Sequence, residues 1–132
     1  MLKEHALHHY LTLEKCCADS ILCGGNDEYQ LNIAPDDLVL FHGFCGGMAC
    51  GEICGCLAGA VGILSKKYAH LEKEEFHNLM HNFVELFKEK LQGDSINCSV
   101  LEAKYKTEEL RCSVTVGLAA DTLEAYIKEL DK

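Results

Sequence analysis

The residues best suited to chemistry in this chain are its cysteines, and they are concentrated in one segment. Residues 43–62 hold Cys45, Cys50, Cys54 and Cys56 together with seven of the eleven glycines. Cysteine thiolates bind metals and attack disulfides, and glycine allows the backbone to approach a bulky group closely. The pattern predicts a glycine-lined thiol site here. Cysteines from three other places can complete it: Cys16, Cys17 and Cys23, then Cys98, then Cys112.

The number of cysteines favours metal binding or redox chemistry over a disulfide framework. The N-terminus lacks the cationic start, apolar run and cleavage site of a signal peptide, so we expect a cytoplasmic protein. The cytosol keeps thiols reduced, and the nine cysteines would leave one unpaired in any full set of disulfides. The apolar stretch 53–64 is too short to span a membrane.

Composition and charge exclude several other classes of protein. The chain has 132 residues, 48% of them hydrophobic and 25% charged, which is typical of a single soluble domain covering 1–132. Its net charge of -9 would repel nucleic acid and anionic membrane surfaces. We therefore expect neither of these as a partner.

Helical periodicity places the cysteines on several elements. An amphipathic helix over 2–23, ended by Gly24 and Gly25, carries Cys17 on its apolar stripe, and a short helix follows Pro35 and ends near Gly46. Further helices are predicted over 52–68, over 70–92 up to Gly93, over 96–105 after Ser95, and from Thr107 to the end. Only 112–116 has appreciable strand propensity. The prediction is an all-α, single-domain bundle of five or six helices, with the Gly/Cys-rich loop and helix at its centre.

The helix 52–68 presents Gly55, Gly59 and Gly62 on one side. Each glycine costs a helix about 0.8–1 kcal/mol relative to alanine, so a compensating close approach is expected. The approaching group can be another helix of the chain, a cofactor, or a second copy of the protein. A homodimer is therefore one expectation.

Two side chains near the cysteines have predicted chemical roles. Cys98 falls in the first turn of its helix, where the helix dipole and free amides would stabilise a thiolate. His42 is a candidate ligand or proton carrier beside the thiols, or else a hydrogen-bonded core residue.

The order of these motifs resembles that of the redox-active C_GCAxxG_C_C family along almost the whole chain. The matching segments are Cys17-Ala18, then Gly-Phe-Cys-Gly-Gly-Met at 43–48, then Gly-Glu-Ile-Cys-Gly at 51–55 with Gly59-Ala60, and finally Asn97-Cys98 and Cys112. The middle segments are the specific part of the likeness, since isolated cysteines alone would not identify a family.

The resemblance implies a small helical protein with an iron–sulfur cluster or a redox-active thiol set, and a redox partner protein. The four family positions, Cys17, Cys54, Cys98 and Cys112, would supply the usual ligand number of a cluster or a structural zinc site. This chain departs from the family pattern by adding Cys16, Cys23, Cys45, Cys50 and Cys56, and those at 45, 50 and 56 would permit a larger or second cluster. We predict six metal ligands: Cys17, Cys45, Cys50, Cys54, Cys98 and Cys112. Covalent haem is not expected, because there is no Cys-x-x-Cys-His motif.

Two other functions remain open from the sequence. One is thiol–disulfide exchange, in which Cys98 or Cys54 attacks and a neighbour resolves. The other is an interaction module stabilised by zinc. Cys16, Cys23 and Cys56, taken singly, can each be a buried small hydrophobic residue.

Overall fold

The computed structural model of the protein describes residues 1–91 and 95–132, and these residues are mostly helical. The six α-helices are α1 (Leu2–Leu7), α2 (Cys17–Tyr29), α3 (Gly55–Tyr68), α4 (Lys73–Lys90), α5 (Cys98–Tyr105) and α6 (Ser113–Leu130). A π-helical turn at His8–Thr12 and a 3₁₀ turn at His42–Phe44 add to them. Two isolated β-bridges and no strand occur in these residues. The all-α prediction is confirmed, with more helical pieces than the five or six expected.

The prediction of one helix over 2–23 is wrong, because the helix is interrupted between Thr12 and Cys17. Glu14 adopts a left-handed conformation with φ 55°, which an α-helix cannot continue through. Cys16 is extended at the N-cap of α2, and Cys17 is the first residue of that helix. The break therefore places two neighbouring cysteines at a helix start.

Gly24 and Gly25 lie inside α2 and do not end it. A Cβ atom at Gly24 would lie 2.8 Å from the Cα atom of Ala6, and one at Gly25 would lie 2.5 Å from Cδ1 of Ile63. The glycines allow α1 and α3 to pack closely against the two sides of α2. The helix ends at Gln30, which takes the left-handed conformation (φ 50°).

One hydrophobic core joins the helices, and α2 and α3 form its centre. Its largest fully buried side chains are Phe83, Phe87, Leu2, Ile21, Ile63, Leu64, Leu91, Leu101 and Leu123. The ring of Tyr126 on α6 lies 5.4 Å from that of Phe83 on α4, and its hydroxyl donates to the Leu79 carbonyl oxygen at 2.7 Å. These contacts hold the two longest helices together.

The segment before α3 is extended, so the predicted helix over 52–68 begins only at Gly55. Its backbone pairs with the segment before α5: the Cys54 amide donates to the Ile96 carbonyl oxygen at 2.7 Å, and the Cys98 amide donates to that of Glu52. This pairing brings Cys54 and Cys98 side by side, although 44 residues separate them in the sequence.

The other boundaries differ by a few residues or by type. The short helix expected after Pro35 is a series of turns that ends in His42–Phe44. The predicted N-cap Ser95 accepts a hydrogen bond from the Asn97 amide, and Asn97 is the N-cap of α5. The predicted terminator Gly93 lies outside the described residues. The helix predicted from Thr107 begins only at Ser113, because the Thr107 amide donates to the Arg111 carbonyl oxygen at 3.0 Å across a turn. Residues 113–116 form the start of α6 despite their strand propensity.

None of the helices in the described residues combines the length and apolarity needed to cross a membrane.

Candidate functional site

Five cysteines surround one small cavity, which we call the inner site. Its members are Cys17, Cys54, Cys56, Cys98 and Cys112, and the cavity volume is about 20 Å³. A volume of this size holds about one water molecule. The four cysteines that carry the family resemblance therefore meet in space, and Cys56 joins them.

Each of the four family cysteines lies at the start of a different helix. Cys17 and Cys98 are the first residues of α2 and α5, and Cys54 and Cys112 are the N-caps of α3 and α6. A helix start carries a partial positive charge and free amide groups, both of which favour anions. Four helix dipoles therefore converge on sulfur atoms that become negative when they ionise.

Hydrogen bonding prepares two of these thiols to ionise. A hydrogen bond with the Cys56 side chain is the largest influence on Cys17 and, with backbone amides including that of Gly46, lowers the pKa of Cys17 to about 7. A hydrogen bond with Cys56 also lowers the pKa of Cys54. The pKa of Cys56 itself is raised well above its usual value by the same two bonds and by burial. Of these three thiols, Cys56 therefore holds its proton most tightly, and it lies between the two whose pKa is lowered.

The other two thiols of the inner site are held in the protonated form. Burial, reinforced by a hydrogen bond from Sγ to Oε1 of Glu102 at 3.3 Å, raises the pKa of Cys98 to about 12. Burial also raises the pKa of Cys112. The expectation of a stabilised Cys98 thiolate is therefore wrong, because desolvation and the neighbouring carboxylate outweigh the helix start.

Glycines bring the backbone against these sulfur atoms. A Cβ atom at Gly55 would lie 2.5 Å from Sγ of Cys17, and one at Gly47 would lie 2.6 Å from Cβ of Cys98. Gly47 also has a positive φ of 63°, which side chains rarely tolerate. The two glycines leave room for the thiols and for whatever they bind.

The rest of the glycine face on α3 packs within the chain. A Cβ atom at Gly59 would lie 2.7 Å from the carbonyl oxygen of Ala18, and one at Gly62 would meet the Phe41 ring. The close helix packing predicted for this face is therefore internal. The predicted homodimer loses this supporting argument and stays a prediction.

A larger open pocket adjoins the inner site and connects it with solvent. Its volume is about 370 Å³, and Cys17, Cys98 and Cys112 line it. Lys15, Lys106 and Arg111 also lie along its wall. Glu14 and Glu102 lie on the same wall, and Lys106 is paired with Glu102 at 3.7 Å, so the basic side chains exceed the acidic ones there by only one, in a chain whose net charge is -9.

Loop contacts fix the position of Cys112 on this wall. Its amide donates to the hydroxyl of Tyr10 at 2.9 Å, and the guanidinium of Arg111 lies over the Tyr10 ring and donates to the Tyr10 carbonyl oxygen at 3.1 Å. The turn before α6 is thereby attached to the segment before α2, since Tyr10 lies in the turn after α1.

A second group of residues, which we call the outer site, adjoins the open pocket, because Cys16 belongs to this group and also lines the pocket. Cys16 and Cys45 form a disulfide with a Cα–Cα distance of 5.9 Å, and the other seven cysteines are free. Ligand atoms of Cys16, Asp19, His42 and Cys45 all lie within 4.8 Å of one another, so the group could hold a metal ion. His42 Nδ1 and Asp19 Oδ2 are 2.6 Å apart.

The six cysteines predicted as ligands are thus divided among three places. Cys17, Cys54, Cys98 and Cys112 are in the inner site, Cys45 is in the outer site, and Cys50 is an exposed free thiol in the loop 47–51. Cys23 is buried, as a small hydrophobic residue would be.

Asp19 was not predicted as a site residue, and Cys56 was predicted as part of the thiol segment but not among the six ligands. Cys56 lies two positions after the N-cap Cys54, and Asp19 lies three positions after the N-cap Cys16. At these spacings the side chain of an N-cap residue can meet a side chain in the first turn of its helix. Recognising Cys54 and Cys16 as N-caps would have drawn attention to both.

Comparison with known proteins gives a family match and no closer relative. The family model described as "Putative redox-active protein (C_GCAxxG_C_C)" matches residues 15–126. This range contains all nine cysteines. No curated protein and no solved structure matches the chain.

Proposed function

Because the chain belongs to the C_GCAxxG_C_C family of redox-active proteins, we propose that it is a redox protein that binds an iron–sulfur cluster at the inner site. Its ligands are Cys17, Cys54, Cys98 and Cys112. The observation that carries the proposal is the convergence of these four thiols, each at the start of a different helix, on one cavity. A cluster bound there supplies one-electron chemistry, and a redox partner protein exchanges the electrons.

The residues fit this group in donor chemistry and in space. Four cysteine thiolates are the usual ligand set of both common cluster types. Three of these thiols also line the open pocket of about 370 Å³, which offers room beside the small cavity. Lys15, Lys106 and Arg111 on that wall outnumber Glu14 and Glu102, and this small excess of positive charge favours thiolate ligands.

Proton movements within the site follow from the pKa differences among its thiols. Ligation requires deprotonated cysteines. Cys17 and Cys54 reach that state most readily. Cys98 must lose its proton. Oε1 of Glu102 already accepts a hydrogen bond from the Cys98 thiol and is therefore placed to receive this proton. Cys56 keeps its proton and can donate a hydrogen bond to the sulfur of Cys17 or Cys54, a contact that tunes the potential of a thiolate-bound metal.

Metal analysis of the full chain purified without oxygen tests the proposal. We expect a brown protein with stoichiometric iron and acid-labile sulfide and a charge-transfer absorption that bleaches on reduction. A colourless protein with neither iron nor sulfide would contradict the proposal. Zinc as the sole metal would assign the inner site to the zinc-stabilised module instead.

Thiol–disulfide exchange is a second candidate function, favoured by the disulfide between Cys16 and Cys45. In that reaction a thiolate attacks one sulfur of the disulfide, and the other sulfur leaves as a thiolate. Cys17 lies next to Cys16 and has a pKa of about 7, so it is the free thiol of the chain best suited to exchange. Turnover with a dithiol reductant and a disulfide substrate by the iron-free protein would support this function.

A further inference from the structure

The outer site has the composition of a metal site, although its two sulfur atoms are joined in a disulfide. Two cysteines, one imidazole and one carboxylate are the donor types found at tetrahedral zinc sites. Their ligand atoms all lie within 4.8 Å of one another. Around a zinc ion with bonds of about 2.0–2.3 Å, neighbouring ligand atoms lie almost 4 Å apart, so the four groups are close enough for one ion once the S–S bond breaks and the two sulfur atoms separate.

The carboxylate of Asp19 gives an independent indication of a missing partner. Asp19 is only 9% exposed, its Oδ2 is paired with Nδ1 of His42, and its buried Oδ1 has no hydrogen-bond partner within the described part of the chain. An unsatisfied buried carboxylate oxygen is costly. A cation beside it would remove that cost.

The position of His42 gives the ion a route to the site. Its side chain is 69% exposed, whereas Asp19 is buried at the base of the group. An ion arriving from solvent meets the imidazole first and reaches the carboxylate and the sulfurs behind it. A rotation of the exposed imidazole is sufficient to admit the ion, so no core residue has to move.

We propose that the outer site is a redox-gated site for one divalent metal ion of the zinc type, formed by Cys16, Asp19, His42 and Cys45 once the disulfide is reduced. This proposal is independent of the inner cluster, since the two sites share no ligand. It adds a second metal site to the chain, whose occupancy depends on the thiol redox state of its surroundings.

The gating step balances as a dithiol reduction followed by metal exchange for protons. A dithiol reductant delivers two electrons and two protons, the S–S bond between Cys16 and Cys45 breaks, and the reductant becomes a disulfide. The divalent ion then replaces both thiol protons, which pass to solvent, while Asp19 and His42 complete the coordination. A low-molecular-weight disulfide oxidises Cys16 and Cys45 back to their disulfide, is itself reduced to two thiols, and thereby releases the ion.

The test compares zinc binding to the oxidised and reduced full chain. Zn²⁺ is supplied from a chelating buffer under inert gas, before and after treatment with a phosphine reductant, and protein-bound zinc is counted. Both samples come from one preparation and have the same inner-site ligands, so any zinc bound by the inner cysteines contributes equally to both and cancels. We expect about one more zinc per chain after reduction. Equal zinc content in the two samples would overturn the proposal.

Matched variants locate the additional ion. His42→Ala and Cys45→Ser should remove it, whereas His77→Ala, on the exposed face of α4, and Cys50→Ser, an exposed free cysteine, should keep it. Because the His42 side chain is largely exposed, its removal leaves the core intact. Zinc bound by the oxidised sample of each variant reports whether the inner site is still formed. An additional ion that survives in both His42→Ala and Cys45→Ser, or that also disappears in His77→Ala, would refute the assignment.

Discussion

Cys16 and Cys17 are adjacent in the sequence, yet they belong to two sites with different properties. Cys17 faces the inner site, where four helices begin around one cavity. Cys16 faces the outer site, which takes His42 and Cys45 from the irregular segment between α2 and α3. The inner site is thus built from rigid helix ends and the outer site largely from turns.

Their thiol chemistry differs for the same reason. The inner thiols remain free although they are close together, and hydrogen bonds through Cys56 lower the pKa of Cys17 and Cys54 and raise that of Cys56. The outer pair has no such intervening thiol, and it forms a disulfide. Local hydrogen bonding and the rigidity of the supporting elements, more than the number of cysteines, therefore determine whether a cysteine stays a free thiol or forms a disulfide.

The largest expected effect separates the two sites by metal content. Cys54→Ser and Cys98→Ser should each lose most of the iron, because serine cannot replace a thiolate ligand. Cys45→Ser should retain the iron, since Cys45 lies in the outer site. Iron and acid-labile sulfide per chain, measured on oxygen-free preparations, provide the test.

Cys50→Ser is the control for that experiment, because Cys50 is a free and exposed cysteine. Iron retained in both Cys54→Ser and Cys98→Ser would show that the inner site is not the cluster site. Iron lost in Cys45→Ser would show that the two sites act as one.

A smaller effect should distinguish the glycines of the two regions. Gly55→Ala places a methyl group 2.5 Å from Sγ of Cys17, and overpacking of this kind lowers the free energy of unfolding by about 1–3 kcal/mol. Gly43→Ala, near the outer site, meets no atom within 4 Å and should change it by less than about 1 kcal/mol. Urea unfolding of the metal-free reduced proteins measures both values. Equal losses of unfolding free energy in the two variants would mean that the inner site accommodates an added methyl group as easily as the loop does.

Sequence patterns located most of the helices and the four thiols that meet. Apolar periodicity located α3 and α4 to within a few residues, because each buries one continuous face, but it placed the start of α6 at Thr107 instead of Ser113. The family positions Cys17, Cys54, Cys98 and Cys112 do line one cavity. Periodicity could not reveal that the helix is interrupted before Cys17. The apolar residues keep a helical spacing through this segment, but the backbone at Glu14 is left-handed and not helical.

His42 and Cys45 were predicted as ligands, but their grouping with Cys16 and Asp19 in an outer site could not be predicted, for a physical reason. Its residues come from a helix start and from turns, where side-chain direction depends on tertiary contacts and follows no repeat. Gly24 and Gly25 failed as helix terminators for a related reason, because close packing against Ala6 and Ile63 requires small residues inside α2. Tertiary packing outweighed local propensity in both places.

The smallest effect concerns the titration of Cys17, and it tests whether Cys56 makes the inner site different from an ordinary pair of thiols. In the metal-free reduced protein, alkylation of Cys17 by iodoacetamide should rise with pH around a midpoint of about 7, because the Cys56 hydrogen bond and backbone amides stabilise the thiolate. Cys56→Ala should move the midpoint upward, towards the value of the urea-unfolded chain, which serves as the reference. Since folding lowers this pKa, the thiolate contributes stability that is fully present above the unfolded pKa and is lost as pH falls through about 7. Peptide mass spectrometry across pH 5–10 follows Cys17 separately from the other cysteines. An unchanged midpoint in Cys56→Ala would assign the lowered pKa to the backbone amides at the start of α2 and leave Cys56 with a packing role.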